Sequence, residues 1–264
     1  FHIGGAFISS AALCRGSSIA LGRGFRTAAF WDVVRATQAT SVFLLGVMAT
    51  FLLKEPPRPD DRQHPLRMVF IVPLGDIRDF VARFRGYDGF GALPPIILAA
   101  LRKRMVALSA EIANGVIFAN ASRSHMAESL SVIPAEKRRD PDFLVANMIP
   151  TCISDDIAAA KAVNRRTLTR YTMLPNYRNY WKEAGYVEEM TAIETAIAGG
   201  RQNDIPSLMS DRWLADTTLF GPGQAVRDGV ASWREAGVTT PILVPSSASG
   251  NQLKAVEEIF ASFV

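Results

Sequence analysis

Cysteine and histidine are scarce in this sequence, and neither residue type forms a group. Cys14 and Cys152 lie far apart and belong to no CxxC pair, and the three histidines, at positions 2, 64 and 125, are equally scattered. Disulfide frameworks and zinc sites both need such residues in clusters. The sequence therefore predicts no disulfides and no metal site, and a reducing cytoplasm is the expected compartment.

Long apolar runs and strong charge bias are also absent. The most apolar run, residues 41–53, is shorter than the ~20 residues that a helix needs to cross a bilayer. The 29 Lys and Arg against 25 Asp and Glu leave a net charge of +4 without a basic stripe. The densest basic cluster, Lys137–Arg139, is followed by two aspartates and predicts a solvated loop. We expect neither a membrane nor a nucleic-acid partner.

The sequence does contain short apolar runs that alternate with segments of helical periodicity. This alternation is typical of βα units and of a mainly parallel sheet. Residues 17–21 are the first candidate strand, and 27–37 are the first candidate helix. About eight βα candidates can be counted along the chain, numerically enough for a closed barrel. The predicted fold class is α/β with mainly parallel βα units, a partial or composite (β/α)8 TIM-like barrel.

The strongest linker signal is a stretch rich in glycine and proline. It contains Gly86, Gly89 and Gly91, followed by Pro94 and Pro95. Such residues interrupt both helices and strands. We therefore place a domain boundary here and predict two parts, residues 1–85 and residues 87–264.

No common catalytic motif is present. Ser-His-Asp spacing, a GxxxxGK[ST] phosphate loop and a GxGxxG turn after a strand are all missing from the sequence. Motifs alone therefore give no enzyme class. The remaining candidates are turns between a strand and a helix, where unpaired backbone N–H groups and the helix dipole attract anions.

Two such turns stand out. Ala99, Ala100, Leu101 and Arg102 combine small residues with a cation at a helix start, which favours a phosphate, although a basic outer helix face is the alternative. Asn120, Ser122 and Arg123 follow the next strand with polar side chains that we expect to face the mouth of the fold. Capping of a helix is the alternative role for this second turn.

Residues 1 to about 85 resemble the adenylate-forming acyl-CoA ligase superfamily. The resemblance rests on FHIGG at Phe1, Gly16-Ser17-Ser18 before a strand, Phe30-Trp31 at a helix start and the strand from Leu66 to Pro73. It implies that His2, in a stretch beside the acyl and adenylate pocket, contacts substrate. The family's phosphate loop, acidic ribose-binding residue and hinge lysine have no counterpart in this sequence, so we expect no adenylation.

Residues from about 87 to 264 resemble the C-terminal half of luciferase-like oxidoreductases, especially the deazaflavin-dependent branch. The resemblance rests on PPIILAALRKRM at Pro94, NGVIFANAS at Asn114, the Gly221-Pro222 helix start and the strand from Pro241 to Pro245. It implies a (β/α) barrel that binds a deazaflavin or flavin mononucleotide (FMN) at the carboxyl ends of its strands.

The resemblance also assigns roles to the two turns. It implies that Ala99, Ala100, Leu101 and Arg102 hold the cofactor phosphate, and that Asn120, Ser122 and Arg123 face a small-molecule substrate. The family commonly has Gly-Pro where this chain has Arg102-Lys103, and we expect a basic residue to replace that backbone cradle in part.

Three functions follow from these resemblances. The first is a flavin- or deazaflavin-dependent oxidoreductase or monooxygenase, which is the best name for most of the chain. The alternatives are an acyl-CoA ligase fragment and a non-catalytic fusion. Since the family's first barrel strands have no counterpart, we expect an incomplete ring pocket and the loss of catalysis. The sequence leaves open whether the protein forms a homodimer.

Overall fold

The computed structural model describes residues 17–20, 24–56, 58–61, 63–72, 76–86 and 95–263. His2, Cys14 and most of the predicted linker therefore lie outside the described residues. The chain divides into two compact units, Phe1–Pro95 and Ile96–Val264. The division falls at the end of the Gly/Pro-rich stretch. In the described ranges, no helix is both long and apolar enough to span a membrane.

The first unit is a small α/β arrangement. Its elements are α1 (Thr27–Thr37), β1 (Ser41–Leu45), α2 (Gly46–Leu52), β2 (Met68–Val72) and α3 (Ile77–Arg85). The strands β1 and β2 pair in parallel, with Ser41 opposite Met68. Asp76 caps α3, since its side chain accepts a hydrogen bond from the backbone N–H of Asp79 at 3.0 Å.

The second unit contains the larger parallel sheet. Its strands are β3 (Ile97–Ala99), β4 (Gly115–Ala119), β5 (Leu144–Ile153), β6 (Leu219–Gly221) and β7 (Thr240–Pro245). All the pairings among them are parallel. The longest strand, β5, pairs with three others: with β4 over 144–148, with β6 over 151–153 and with β7 over 146–151.

The helices of this unit connect the strands and form a long excursion between β5 and β6. They are α4 (Lys103–Ile112), α5 (Met126–Leu130), α6 (Ala135–Arg139), α7 (Ile157–Thr172), α8 (Pro175–Glu183), α9 (Val187–Ala198), α10 (Ile205–Leu208), α11 (Asp211–Thr217), α12 (Gly223–Glu235) and α13 (Gln252–Phe263). Short 3-10 turns occupy Arg123–His125 and Gln202–Asp204. Trp181, Trp213 and Trp233 are almost completely buried in the core that these helices share with the sheet.

The predicted fold class, α/β with parallel βα units, is confirmed. The predicted helix at Thr27–Thr37 matches α1 residue for residue. The described part of the chain holds seven strands in two separate sheets, against about eight predicted candidates.

Two local predictions were wrong. Residues 17–20 form no strand, since they pair with no other described strand. Lys137–Arg139 do not form a loop but end the short exposed helix α6, which starts directly after Pro134. Ala135, Glu136 and the basic residues are all good helix formers, which accounts for this turn of helix.

Candidate functional site

The candidate site lies at the carboxyl edge of the larger sheet, where β3 and β4 end side by side. Leu98 is opposite Val116 and Ala99 is opposite Ile117, and the N–H of Ala100 donates to the Ile117 carbonyl at 3.0 Å. Neighbouring strands lie about 4.8 Å apart. The two turns that follow these strands, residues 100–102 and 120–122, are therefore neighbours at one edge.

The first turn leads directly into α4. Ala99 is exposed, Ala100 is buried and Arg102 occupies the N-cap position without a side-chain cap. In the part of the chain that the structure describes, the backbone N–H groups of Lys103 and Arg104 make no hydrogen bond. Unpaired N–H groups at the start of a ten-residue helix attract an anion. The sequence-predicted turn therefore has the backbone geometry of an anion site.

Two of the cations beside this turn, Arg102 and Lys103, already have acidic partners. Arg102 Nε donates to Glu183 Oε1 at 2.9 Å, and Lys103 pairs with Glu128. The hydrogen bond to Glu183 raises the pKa of Arg102, and the hydrogen bond from Lys103 lowers the pKa of Glu128. Both pairs are solvent-exposed, so each contributes only weakly. The positive charge that we expected at Arg102 is thus partly neutralised.

The second turn follows β4 and is largely buried. Asn120 has a left-handed backbone, φ 56°, and the residue is 3% exposed, while Ser122 is fully buried. We predicted that these side chains face an open mouth. They lie instead beneath the helical excursion, because aromatic side chains of that excursion pack over the turn. Arg123 is half-buried at the start of the 3-10 turn.

One backbone carbonyl and two side chains hold the second turn at successive backbone N–H groups. The N–H of Asn120 donates to the Met148 carbonyl at 3.0 Å, and the N–H of Ala121 donates to Asn147 Oδ1 at 3.4 Å. The N–H of Ser122 donates to the Tyr180 hydroxyl oxygen at 3.0 Å. The backbone of this turn is therefore fixed at consecutive residues.

Helix α8 connects the two turns. Its Trp181 donates from Nε1 to the Asn120 carbonyl at 3.1 Å, and its Tyr180 accepts from Ser122. The same helix supplies Glu183, the partner of Arg102. These three contacts tie both turns to one helix. Sequence reasoning found the turns but missed α8, because its residues follow the turns by 58 to 81 positions.

Burial shapes the acid–base properties of the aromatic residues over the second turn. It raises the pKa of Tyr177 to about 12 and that of Tyr180 to about 12. Both phenols therefore stay neutral at physiological pH and act as hydrogen-bonding groups. The His125 ring meets the Tyr180 ring edge-on, with centroids 5.7 Å apart.

The described residues contain no group of three or more His, Cys, Asp or Glu side chains that could hold a metal ion. What the geometry supplies is a helix start whose first N–H groups make no hydrogen bond within the described ranges, beside a rigid turn covered by aromatic side chains. Any redox chemistry here would have to come from a bound cofactor.

Comparison with known proteins decides the family. The sequence profile of luciferase-like monooxygenases matches residues 56–240. The chain belongs to this family. The match begins well before residue 87, where we expected the luciferase-like part to start, and so overlaps the segment that we compared with acyl-CoA ligases.

Curated relatives of this luciferase-like chain are similar over only part of their length. A Mycobacterium tuberculosis protein whose name describes it as a coenzyme F420-dependent oxidoreductase is 27% identical over 166 residues, covering 58% of this chain and 48% of that protein. A medium/long-chain fatty-acid–CoA ligase of the same organism is 37% identical over 60 residues, covering 23% of this chain and 10% of the ligase. The luciferase-like chain thus spans about half the length of the first relative.

Solved structures share the fold of the luciferase-like chain. The coenzyme F420-dependent tetrahydromethanopterin reductase from Methanopyrus kandleri superposes with a TM-score of 0.53 and 21% identity, over 65% of this chain and 51% of the reductase. An F420-dependent secondary alcohol dehydrogenase, solved with an F420-acetone adduct, gives a TM-score of 0.53 at 11% identity, over 97% of this chain and 82% of that chain. At these identities the likeness concerns the fold alone.

Proposed function

We propose that this luciferase-like chain is a deazaflavin-dependent oxidoreductase, or the part of one that binds the cofactor's phosphate end. The observation that carries the proposal is the start of α4, where the N–H groups of Lys103 and Arg104 make no hydrogen bond within the described ranges. Family membership and the coenzyme F420-dependent relatives support the choice of ligand.

The residues at this turn fit a phosphate. Ala99 and Ala100 carry only methyl side chains, so an anion can approach the backbone closely. Arg104 is an exposed cation that forms no ion pair with any described residue. Arg102 would exchange its contact with Glu183 for a contact with the phosphate. The cofactor supplies hydride transfer when bound, and the chain's residues bind and orient it.

Residues 120–123 form the side of the site that lies next to the first turn. We propose that the substrate, a small molecule, lies against this turn, with Arg123 as its polar contact. Because Asn120 and Ser122 are buried, their contribution would be to shape the backbone of the turn rather than to touch an open solvent channel.

Titration of coenzyme F420 and FMN against charge variants tests the proposal. Arg102→Glu should weaken binding at low salt, because it places a negative charge beside the phosphate. Glu183→Gln should strengthen binding up to about fivefold, since it frees Arg102 from an exposed ion pair worth about 1 kcal/mol or less. Both effects should shrink as salt is added.

Arg234→Glu is the matched control. Arg234 lies in the last turn of α12, just before β7 begins, and so at the opposite edge of the parallel sheet from the carboxyl ends of the strands. This variant makes the same change in charge and should bind both cofactors as the wild type does. Equal binding by the wild type and Arg102→Glu, or tight binding that ignores salt, would show that the α4 turn is not the phosphate site.

A further inference from the structure

Asp216 is a buried carboxylate whose hydrogen-bond donors, among the described residues, are all neutral. Its side chain, in α11, accepts from the backbone N–H of Ser124 at 2.9 Å, from the Ser124 hydroxyl at 2.7 Å and from the Tyr186 hydroxyl at 2.8 Å. The residue is 8% exposed and forms no ion pair with the residues that the structure describes. Burying a charge without a cation is costly unless hydrogen bonds compensate for it. The three donors supply that compensation.

Both carboxylate oxygens contact the same residue, Ser124, in the 3-10 turn that directly follows the second turn. Oδ1 accepts a hydrogen bond from the N–H of Ser124, and Oδ2 accepts one from its hydroxyl. Asp216 therefore fixes the position of Ser124 at two points. Tyr186 in turn fixes Oδ2, and the guanidinium of Arg212 lies 4.5 Å from the centre of the Tyr186 ring. The Asp216 side chain is therefore itself held in place.

The residue just before Ser124 carries charge. Arg123 is half-buried and forms no ion pair in the described ranges. Its neighbours on both sides are held: Ser122 through the Tyr180 hydroxyl at 3.0 Å and Ser124 through Asp216. The backbone that carries Arg123 thus has little freedom to move. A guanidinium on a fixed backbone is suited to orienting a ligand.

We propose that Asp216 is a positioning residue of the ligand site, which acts through Ser124 to hold Arg123 beside the phosphate-binding turn. The proposal rests on the proposed function, because it takes the edge of β3 and β4 as the ligand site. Asp216 itself touches no ligand. Replacing its carboxylate should loosen the turn and weaken ligand binding while the fold persists.

The experiment combines amide hydrogen exchange with titration of coenzyme F420. In Asp216→Asn, the amide group can accept fewer hydrogen bonds from Ser124 and Tyr186, so exchange at the Ser124 amide should accelerate. The dissociation constant for coenzyme F420 should rise about tenfold, the scale of one lost charge-assisted hydrogen bond. Ser124→Ala keeps the backbone bond to Asp216, so its effects should have the same direction and be smaller.

Two control variants separate positioning from stability. Asp211→Asn removes an exposed carboxylate from the same helix, where it pairs with Lys161 and Arg165, and should leave exchange at Ser124 and affinity unchanged. Ile193→Val destabilises the core at a residue whose side chain forms none of the hydrogen bonds that hold the turn. It should lower the melting temperature but not the affinity, whereas a merely structural Asp216 would behave in the same way as Ile193.

Every other outcome would contradict the proposal, each for a different reason. Faster exchange with unchanged affinity in both Asp216→Asn and Ser124→Ala would show that the turn is held but is not part of the ligand site. Unchanged exchange would show that Asp216 does not hold the turn. If the wild type does not bind coenzyme F420, the proposed function itself fails, and the ligand role of Asp216 fails with it. If Asp216→Asn does not fold, Ser124→Ala is compared with Ile193→Val instead. Weaker binding of coenzyme F420 by Ser124→Ala, but not by Ile193→Val, would support the proposal, and equal binding by both would contradict it.

Discussion

Asn120 shows how one backbone angle shapes the candidate site. Its φ of 56° lies in the left-handed region, which residues with a Cβ adopt at a cost of about 1–2 kcal/mol and which glycine adopts freely. Asn tolerates this conformation better than most residues. The turn after β4 therefore depends on the residue type at this position.

We predict that Asn120→Ala is less stable than Asn120→Gly by about 1 kcal/mol or more. Both variants lose the side-chain amide, so the comparison isolates the backbone conformation together with one methyl group. Urea unfolding of the two proteins measures the difference in the free energy of unfolding. Equal stabilities would mean that the left-handed angle is absent in solution.

At the scale of residues, the sequence predicts contacts that are local and misses those that are distant. Ala99–Arg102 could be identified because a small-residue strand end and a helix start are adjacent in the chain. Glu183 and Asp216 could not, because they meet Arg102 and Ser124 across 81 and 92 positions. No pattern within a single turn or helix indicates such partners.

Among the elements, α8 has the largest effect on the site. Its Tyr180 hydroxyl accepts a hydrogen bond from the buried N–H of Ser122, and its Trp181 donates one to the carbonyl of Asn120 in the same turn. Because a buried donor without a partner costs more than a typical hydrogen bond contributes, this single hydroxyl is important for stability.

Tyr180→Phe should therefore lower the free energy of unfolding by about 1–3 kcal/mol. Tyr171→Phe is the control, since Tyr171 is half-buried and its hydroxyl makes none of the hydrogen bonds given above. This variant should lose less than half as much free energy of unfolding.

The pKa of Tyr180 is raised to about 12 by burial, against 10 for an ordinary tyrosine. The stability that depends on its neutral form is thus present below pH 10 and lost as the pH rises towards 12. If Tyr171→Phe lowered the free energy of unfolding as much as Tyr180→Phe does, the stabilising role assigned to the Tyr180 hydroxyl would be contradicted.

Element prediction succeeded where helical periodicity is clear. Helix α1 matched because its apolar residues follow helical spacing, although its N-cap residue, Arg26, makes no side-chain hydrogen bond to the helix start. Leu98 shows the limit of periodicity. Its spacing from the apolar residues of α4 fits that helix, yet it belongs to β3, because pairing with Val116 outweighs a helical pattern.

At the scale of the whole molecule, the family match and the ligase resemblance overlap between residues 56 and 85. The match to a fatty-acid–CoA ligase covers 10% of that enzyme. The sequence of this chain has no counterpart of the ligase phosphate loop or hinge lysine, so the groups that bind ATP in that superfamily are missing from it.

We predict that this chain does not catalyse ATP–pyrophosphate exchange with any fatty acid. The absence of a phosphate loop is the physical reason, because the sequence contains no loop of the ligase type that would hold the triphosphate for attack by a carboxylate. Exchange of labelled pyrophosphate into ATP is the measurement, with an active acyl-CoA ligase as the positive control. Exchange above the background of a heat-inactivated sample would contradict the prediction.

The long strand β5 determines the order in which the second unit can be completed. One of its edges pairs with β7, so residues as far apart as Val145 and Thr239, 94 positions along the chain, must meet. At a synthesis rate of about 5–20 residues per second, that edge stays unpaired for seconds on the ribosome. An open edge of apolar β-structure invites pairing with other chains. Slow translation between β5 and β7 would therefore favour aggregation of this protein over folding.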